Sequence, residues 1–189
     1  MMLPVRRGLE LITSPSAAVK REDFSKGRFA TWFLCQIPLL LVLTWSGYLD
    51  PAEGFSRDAL SILQYLGSAG LLLGFSMLLA VAKSFLVLWA GGVRMDLLAS
   101  ARELLPLHCI LILLEAVITL FLLILYRLGG GIAYTILEQV FLFGQELLFA
   151  LGVFAVLYWR ENVLLRRSIL VSIGYFLAAS AWLLLPFFA

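Results

Sequence analysis

Among the ionisable and amide side chains within the long apolar runs of this sequence, five are the residues best placed to do chemistry. They are Lys83, His108, Glu115, Gln145 and Glu146. Glu115 and Glu146 fall near the centres of their runs, too deep for a short acidic side chain to reach water, so each must be neutralised, paired or hydrated. His108 and Glu115 are seven residues apart and share a helix face. If these helix faces meet, we expect one buried polar cluster.

Three roles are open to such a cluster. It can relay protons or coordinate a cation during transport, as intramembrane carboxylates often do. It can instead be structural, because interhelical hydrogen bonds in membranes contribute under about 1 kcal/mol yet fix which helices are neighbours. It can also bind a lipid or a partner helix. Two charges have simpler explanations: Lys83 lies within snorkelling reach of a span end, and Glu138 follows Thr135 as in a helix cap.

The composition excludes an ordinary soluble domain. Of the 189 residues, 62% are hydrophobic and 14% are charged, and the mean hydropathy is +1.01. A globular chain is usually about 45–50% apolar and about 25% charged, because its surface must face water. With 14 Lys and Arg against 12 Asp and Glu, the net charge is only +2. We therefore expect the lipid bilayer as surroundings and no nucleic-acid partner.

Long apolar runs predict the elements that hold the polar residues. A transmembrane helix needs roughly 20 apolar residues, and five runs qualify. The sequence predicts an all-α polytopic membrane protein, a bundle of five transmembrane helices over residues 29–189. Residues 1–28 are predicted as a cytoplasmic segment, either an interfacial helix on anionic lipid or a solvated segment that sets orientation. The spans are predicted at about residues 29–49, 59–90, 104–126, 132–159 and 168–188.

The basic residues predict the orientation in the membrane. Six of them precede the first span, two lie in the second connection and three in the fourth, whereas Arg57 and Arg127 lie in the connections on the other side. By the positive-inside rule, the N-terminus is cytoplasmic and the C-terminus is outside an inner or plasma membrane. Ser14-Pro15 is predicted to start a helix, and Ser100 to Glu103 fits a capping box at the third span.

Small residues form a second pattern on the spans. Gly67, Gly70 and Gly74 lie on the second span and include a G-x-x-x-G pair, while Gly174 and Ala178 share one side of the fifth span. Such residues permit close contact between helices. They either pack the protein's own bundle or offer a docking face for a partner's helix or for a second copy.

Metal, cofactor and catalytic chemistry are poorly represented. His108 is the single histidine, and no second histidine or cysteine stands at ligand spacing on its helix, so we predict no metal site. Cys35 and Cys109 lie in apolar runs and are predicted to be small buried residues without a disulfide. The serines lack a histidine–carboxylate context. We therefore predict no cofactor and no enzymatic activity.

Further local patterns extend over nearly the whole chain. They comprise the segment from Leu9 to Ser14-Pro15 followed by Ala18-Val19-Lys20, the turn Gly91-Gly92, Pro106 in the third span, and Tyr158-Trp159-Arg160-Glu161 after the fourth. In these features the chain resembles the Yip1 domain family in its prokaryotic form. The resemblance implies a five-span membrane protein that acts through partners and has no known catalytic residues.

Two functions are expected from these observations. The first is a Yip1-like integral membrane scaffold or accessory subunit that binds other membrane proteins, lipids or a second copy of itself. The alternative is a small proton- or cation-linked transporter or channel component that uses Glu115 and Glu146. Connections of roughly 8–15 residues leave no room for an extramembrane catalytic module.

Overall fold

A computed structural model describes residues 6, 9–10, 13–20, 29–49, 59–127 and 131–184 of the chain. Within the helices, the side chains of residues 43–49, 59–69, 72–73 and 131–135 lie outside that description. The described part is helical with short connections and contains no strand, which confirms the all-α class for it. The helices are α1 (Pro15–Val19), α2 (Phe29–Leu49), α3 (Ala59–Ala90), α4 (Leu97–Arg127), α5 (Gly131–Ala155) and α6 (Leu165–Leu184).

Three of these helical stretches are long and apolar enough to cross a membrane by length and composition. They are Leu97–Arg127, Ile136–Arg160 and Leu165–Leu184. Among the described residues, α2 and α3 contribute the shorter apolar stretches Phe29–Val42 and Gly74–Ala90. A membrane protein with apolar spanning helices is therefore supported, whereas the count of five spans stays a prediction.

Helix α4 lies at the centre of the packing, in contact with α2, α3 and α5. Helix α5 packs in turn against α6, and α6 also touches α3. Leu104 and Leu107 of α4 are almost fully buried, together with Phe149 and Val153 of α5. Leucines on the outer faces, such as Leu71, are largely exposed, as lipid-facing side chains must be.

A second apolar cluster joins α2 to α4. It contains Cys35 and Cys109, which are buried and free. The prediction that both cysteines are small buried residues is confirmed. Their position inside the bundle also shows which faces of α2 and α4 meet.

The short helix α1 packs onto the bundle. It begins at Pro15, directly after Ser14, which confirms the predicted helix start, and proline at this position loses no intrahelical hydrogen bond. Ala18 and Val19 are buried in the same apolar cluster as Val156. Part of the segment predicted as residues 1–28 is therefore packed against the helices that follow it.

The predicted capping box at Ser100 is wrong. Helix α4 begins earlier, at Leu97, and the Asp96 carboxylate accepts a hydrogen bond from the Ala99 amide at 2.6 Å, which caps the helix. Ser100 is instead a buried residue of the first turns. Glu103 does not cap either, because its carboxylate faces Arg160.

The connection from α3 to α4 starts with the predicted Gly91-Gly92 turn. The Gly92 amide donates to the Trp89 carbonyl at 2.8 Å, and Gly92 has a φ of +85°, a conformation that favours glycine. The C-terminal end of α5 continues directly into a π-helical turn, Val156–Arg160. This turn places Arg160 beside α1 and α4.

Candidate functional site

The structure brings the five residues of the predicted polar cluster to one cavity of about 250 Å³. Helical spacing explains this, because the lining residues of each helix recur every three or four positions and so lie along one face. The lining residues are Trp32 from α2; Ser76, Leu79, Ala80 and Lys83 from α3; His108, Leu111, Ile112 and Glu115 from α4; and Gln145, Glu146 and Phe149 from α5.

Lys83 and Glu146 form an ion pair across α3 and α5. The Lys83 Nζ lies 3.0 Å from Oε1 and 3.2 Å from Oε2 of Glu146. The Tyr175 hydroxyl of α6 donates to the same carboxylate. Lys83 Nζ also lies 4.9 Å from the ring centre of Phe149, within cation–π range. The charge of Lys83 is therefore compensated inside the bundle, whereas snorkelling to a span end stays a prediction.

His108 is hydrogen-bonded to α3 through Ser84. The His108 Nε2 lies 2.9 Å from the Ser84 Oγ, and that hydroxyl donates to the Ala80 carbonyl at 2.7 Å. Because a serine hydroxyl has one proton, Ser84 must accept from His108, and this assigns the proton of the neutral ring to Nε2. The other nitrogen, Nδ1, is then an acceptor.

Glu115 is held by an amide rather than by a cation. Its Oε2 accepts a hydrogen bond from the Gln145 Nε2 at 3.2 Å, and the same amide lies 3.4 Å from the Leu111 carbonyl. Within the described part of the chain, no Lys, Arg or His nitrogen lies at ion-pair distance from Glu115. Its carboxyl group is therefore available to a proton or to a small cation.

Trp32 contributes a buried polar group to the same cavity. The sequence places it with other aromatic residues near span ends, but its side chain is only 2% exposed. Its indole N–H has no hydrogen-bond partner among the described residues. A buried donor without a partner costs free energy.

Tyr175 and Ser84 are site residues that the sequence analysis missed. Ser84 is neutral and follows Lys83 directly, so the sequence does not distinguish it as a site residue. Tyr175 did offer one, because it lies in the middle of an apolar run rather than near its end. Glu138, for which no special role is predicted, is not among the residues that line the cavity.

The small residues predicted to permit close helix packing face open space where the structure describes them. A Cβ built on Gly70, Gly74 or Gly174 would meet no atom within 4 Å, so these glycines do not mark close helix contacts within the described chain. Ala178 is exposed, and the surroundings of Gly67 lie outside the described residues. These described residues therefore do not pack the chain's own helices together. A docking face for another helix remains a prediction.

Close helix contact occurs instead at Gly152. A Cβ at Gly152 of α5 would overlap the side chain of Leu107, which is only 1% exposed. The contact between α4 and α5 therefore needs a residue without a side chain at this position. By contrast, Gly144 on the same helix has open space around it.

A second charged group lies where the π-helical turn meets α1 and α4. Arg160 forms a two-pronged ion pair with the Glu103 carboxylate, with Nη2 3.2 Å from Oε1, and its Nη1 donates to the Val19 carbonyl at 3.0 Å. Burial, followed by the charge of Glu103, raises the pKa of Glu161 above its ordinary value, although Arg160 opposes this. We interpret this group as structural because it joins three elements.

The described residues contain no group of three or more His, Cys, Asp or Glu side chains that could hold a metal ion. The chain matched no protein-family model, no curated protein and no solved structure in the comparisons. Its function must therefore be argued from the site itself, and the resemblance to the Yip1 domain family stays a prediction.

Proposed function

We propose that this protein is a small proton- or cation-linked transporter or channel component. In this proposal, five helices cross an inner or plasma membrane with the N-terminus inside and the C-terminus outside. The observation that carries the proposal is the polar cavity of about 250 Å³ beside Glu115, a carboxyl group that no cation of the described chain neutralises.

The cavity favours this function over a purely structural role for the polar cluster. Helices held together by hydrogen bonds alone pack at crystal-like density and leave few voids larger than a water molecule. Here the charged groups line a partly open cavity that admits several water molecules. Water beside a carboxyl group is the environment that proton or cation exchange requires.

The ion pair gives such a site a means of coupling. A cation that enters the cavity competes with Lys83 for the Glu146 carboxylate, which Lys83 contacts at 3.0 Å. Binding is thereby linked to release of Lys83 from α5. The adjacent Glu115 supplies a further proton-binding position on the same cavity.

The test is flux in reconstituted vesicles. The full-length protein is placed in liposomes that contain a pH-sensitive dye, and an acid gradient is imposed with the membrane potential clamped. We expect proton entry above protein-free liposomes, and at least a tenfold loss in Glu115→Gln. Glu138→Gln is the matched control, because it neutralises a carboxylate of α5 that does not line the cavity.

The flux assay is repeated with imposed sodium and potassium gradients and a dye for each ion, so that a cation-selective pathway is also detected. Flux no faster than in protein-free liposomes for all three ions would refute the proposal. So would equal flux in Glu115→Gln and the wild type. Size-exclusion chromatography of each variant checks that assembly is intact.

A second candidate is the Yip1-like scaffold or accessory subunit that binds other integral membrane proteins. The observation that favours it is the open space around Gly70, Gly74 and Gly174, which would admit a partner's helix. Co-purification from native membranes in mild detergent distinguishes the two. Stoichiometric partners that are lost in Gly74→Leu support the scaffold, whereas a homo-oligomer whose stability depends on ions supports transport.

A further inference from the structure

A different cavity, of about 410 Å³, lies where α3 ends and α6 begins. It is lined by Trp89, Ala90, Gly92, Val93, Arg94 and Arg167. We propose that this cavity binds a phosphate group, carried either by an anionic lipid or by a soluble phosphate compound. The proposal is independent of the proposed transport function, because none of these residues lines the polar cavity beside Glu115.

Arg167 is fixed in position by the chain itself. Its Nε and Nη2 donate to the Ala90 carbonyl at 3.2 and 3.1 Å. A Cβ at Gly92 would lie 2.7–2.9 Å from the guanidinium atoms, so the close approach needs glycine, as does the φ of +85° at that residue. Of the five N–H donors of a guanidinium, three remain for a ligand.

Arg94 brings a second positive charge to the same cavity. Its side chain is exposed and makes no ion pair or hydrogen bond with the described residues. The six lining residues include no carboxylate, so the cavity holds two guanidinium groups without a neutralising partner. Guanidinium groups match the oxygen spacing of phosphate and bind it through paired hydrogen bonds.

The position of the cavity fits a membrane-associated ligand. Trp89 is 64% exposed beside it, and exposed tryptophans are typical of the level of lipid head groups. The sequence predicts that this end of the helices faces the cytoplasm, where anionic lipids are concentrated. Basic pockets between transmembrane helices on that side are known binding sites for anionic head groups.

The experiment measures lipid and phosphate binding to the full-length protein. Native mass spectrometry follows retention of phosphatidylglycerol against phosphatidylcholine after incubation with both, and a thermal melt compares inorganic phosphate with chloride at equal ionic strength. The variants are Arg94→Gln and Arg167→Gln. Arg166→Gln is the matched control, since this exposed neighbour does not line the cavity.

We expect each of the two cavity variants to weaken binding by about fivefold, the effect of one arginine near an anionic surface, and the control to leave it unchanged. Preference for phosphatidylglycerol assigns a lipid, and stabilisation by inorganic phosphate alone assigns a soluble compound. Neither effect, or an equal loss in Arg166→Gln and Arg94→Gln, overturns the proposal. If Arg167→Gln does not fold, the exposed Arg94→Gln alone tests the proposal.

Discussion

Loss of one member of the Lys83–Glu146 pair is predicted to destabilise the protein. Lys83→Met leaves a carboxylate in apolar surroundings, with the Tyr175 hydroxyl as its remaining donor. Breaking a fully buried ion pair costs about 3–5 kcal/mol. Because the two side chains are 28% and 23% exposed, solvent screens part of this cost. We therefore expect the free energy of unfolding to fall by about 2 kcal/mol.

Replacement of both charges is predicted to restore most of the stability. Glu146→Met alone also costs about 2 kcal/mol, because it removes the carboxylate that the Lys83 ammonium contacts and leaves that charge beside the rings of Phe149 and Tyr175. The double variant removes both desolvated charges at once and is expected to lose about 1 kcal/mol or less. The coupling energy between the two positions is then about 3 kcal/mol.

The assay is unfolding by sodium dodecyl sulfate in mixed micelles, followed by far-ultraviolet circular dichroism for the wild type, both single variants and the double variant. If the effects of the single variants add within about 0.5 kcal/mol, the pair does not interact and the reasoning is refuted. The folded double variant is also measured in the flux assay. Loss of flux with stability retained assigns the charges to transport rather than to packing.

Three further predictions follow from the packing and from the charges near the connections. Gly152→Ala should destabilise the protein by about 1–3 kcal/mol, since the new methyl overlaps Leu107, whereas Gly144→Ala should cause no loss. Asp96→Ala should cost about 1 kcal/mol through loss of the α4 cap. Glu161→Gln should raise stability at neutral pH and change little below about pH 4, because a raised pKa in the folded state makes stability fall as pH rises above the ordinary value of 4.5.

All three are measured by thermal melts in the same detergent, the last between pH 4 and pH 8. Equal melting temperatures for Gly152→Ala and Gly144→Ala would contradict the close contact between α4 and α5. A melt of Asp96→Ala identical to the wild type would show that the cap contributes nothing. A parallel pH dependence in Glu161→Gln and the wild type would remove this carboxyl group as a source of the effect.

Apolar length was sufficient to predict most helices. The bounds of α2 and α3 coincide with the runs at residues 29–49 and 59–90. The predicted start of helix α4 is wrong, because the charged residues around Glu103 favour a span that begins after them, whereas the helix begins at Leu97. That charge is tolerated within the helix because Arg160, 57 residues further along the chain, pairs with it. No local pattern reveals a partner at that distance.

The sequence predicts which residues belong to the candidate site, but it does not predict which of them contact each other. Ionisable residues in apolar runs are conspicuous, and helical periodicity shows which of them share a face. Periodicity does not show which faces meet, so neither the contact of Lys83 with Glu146 nor that of Gln145 with Glu115 followed from the sequence. For the same reason, the spacing of Gly70 and Gly74 indicates that another helix can approach this face closely. It does not show whether that helix belongs to the chain itself.

The hydrogen bond from Arg160 to the Val19 carbonyl spans 141 positions of the chain. During synthesis, α1 leaves the ribosome long before Arg160, which donates this hydrogen bond from the turn after α5, exists. This contact can form only after the four helices α2 to α5 and the π-helical turn have been made. The docking of α1 through this contact therefore follows the synthesis of the helices that come after it in the chain.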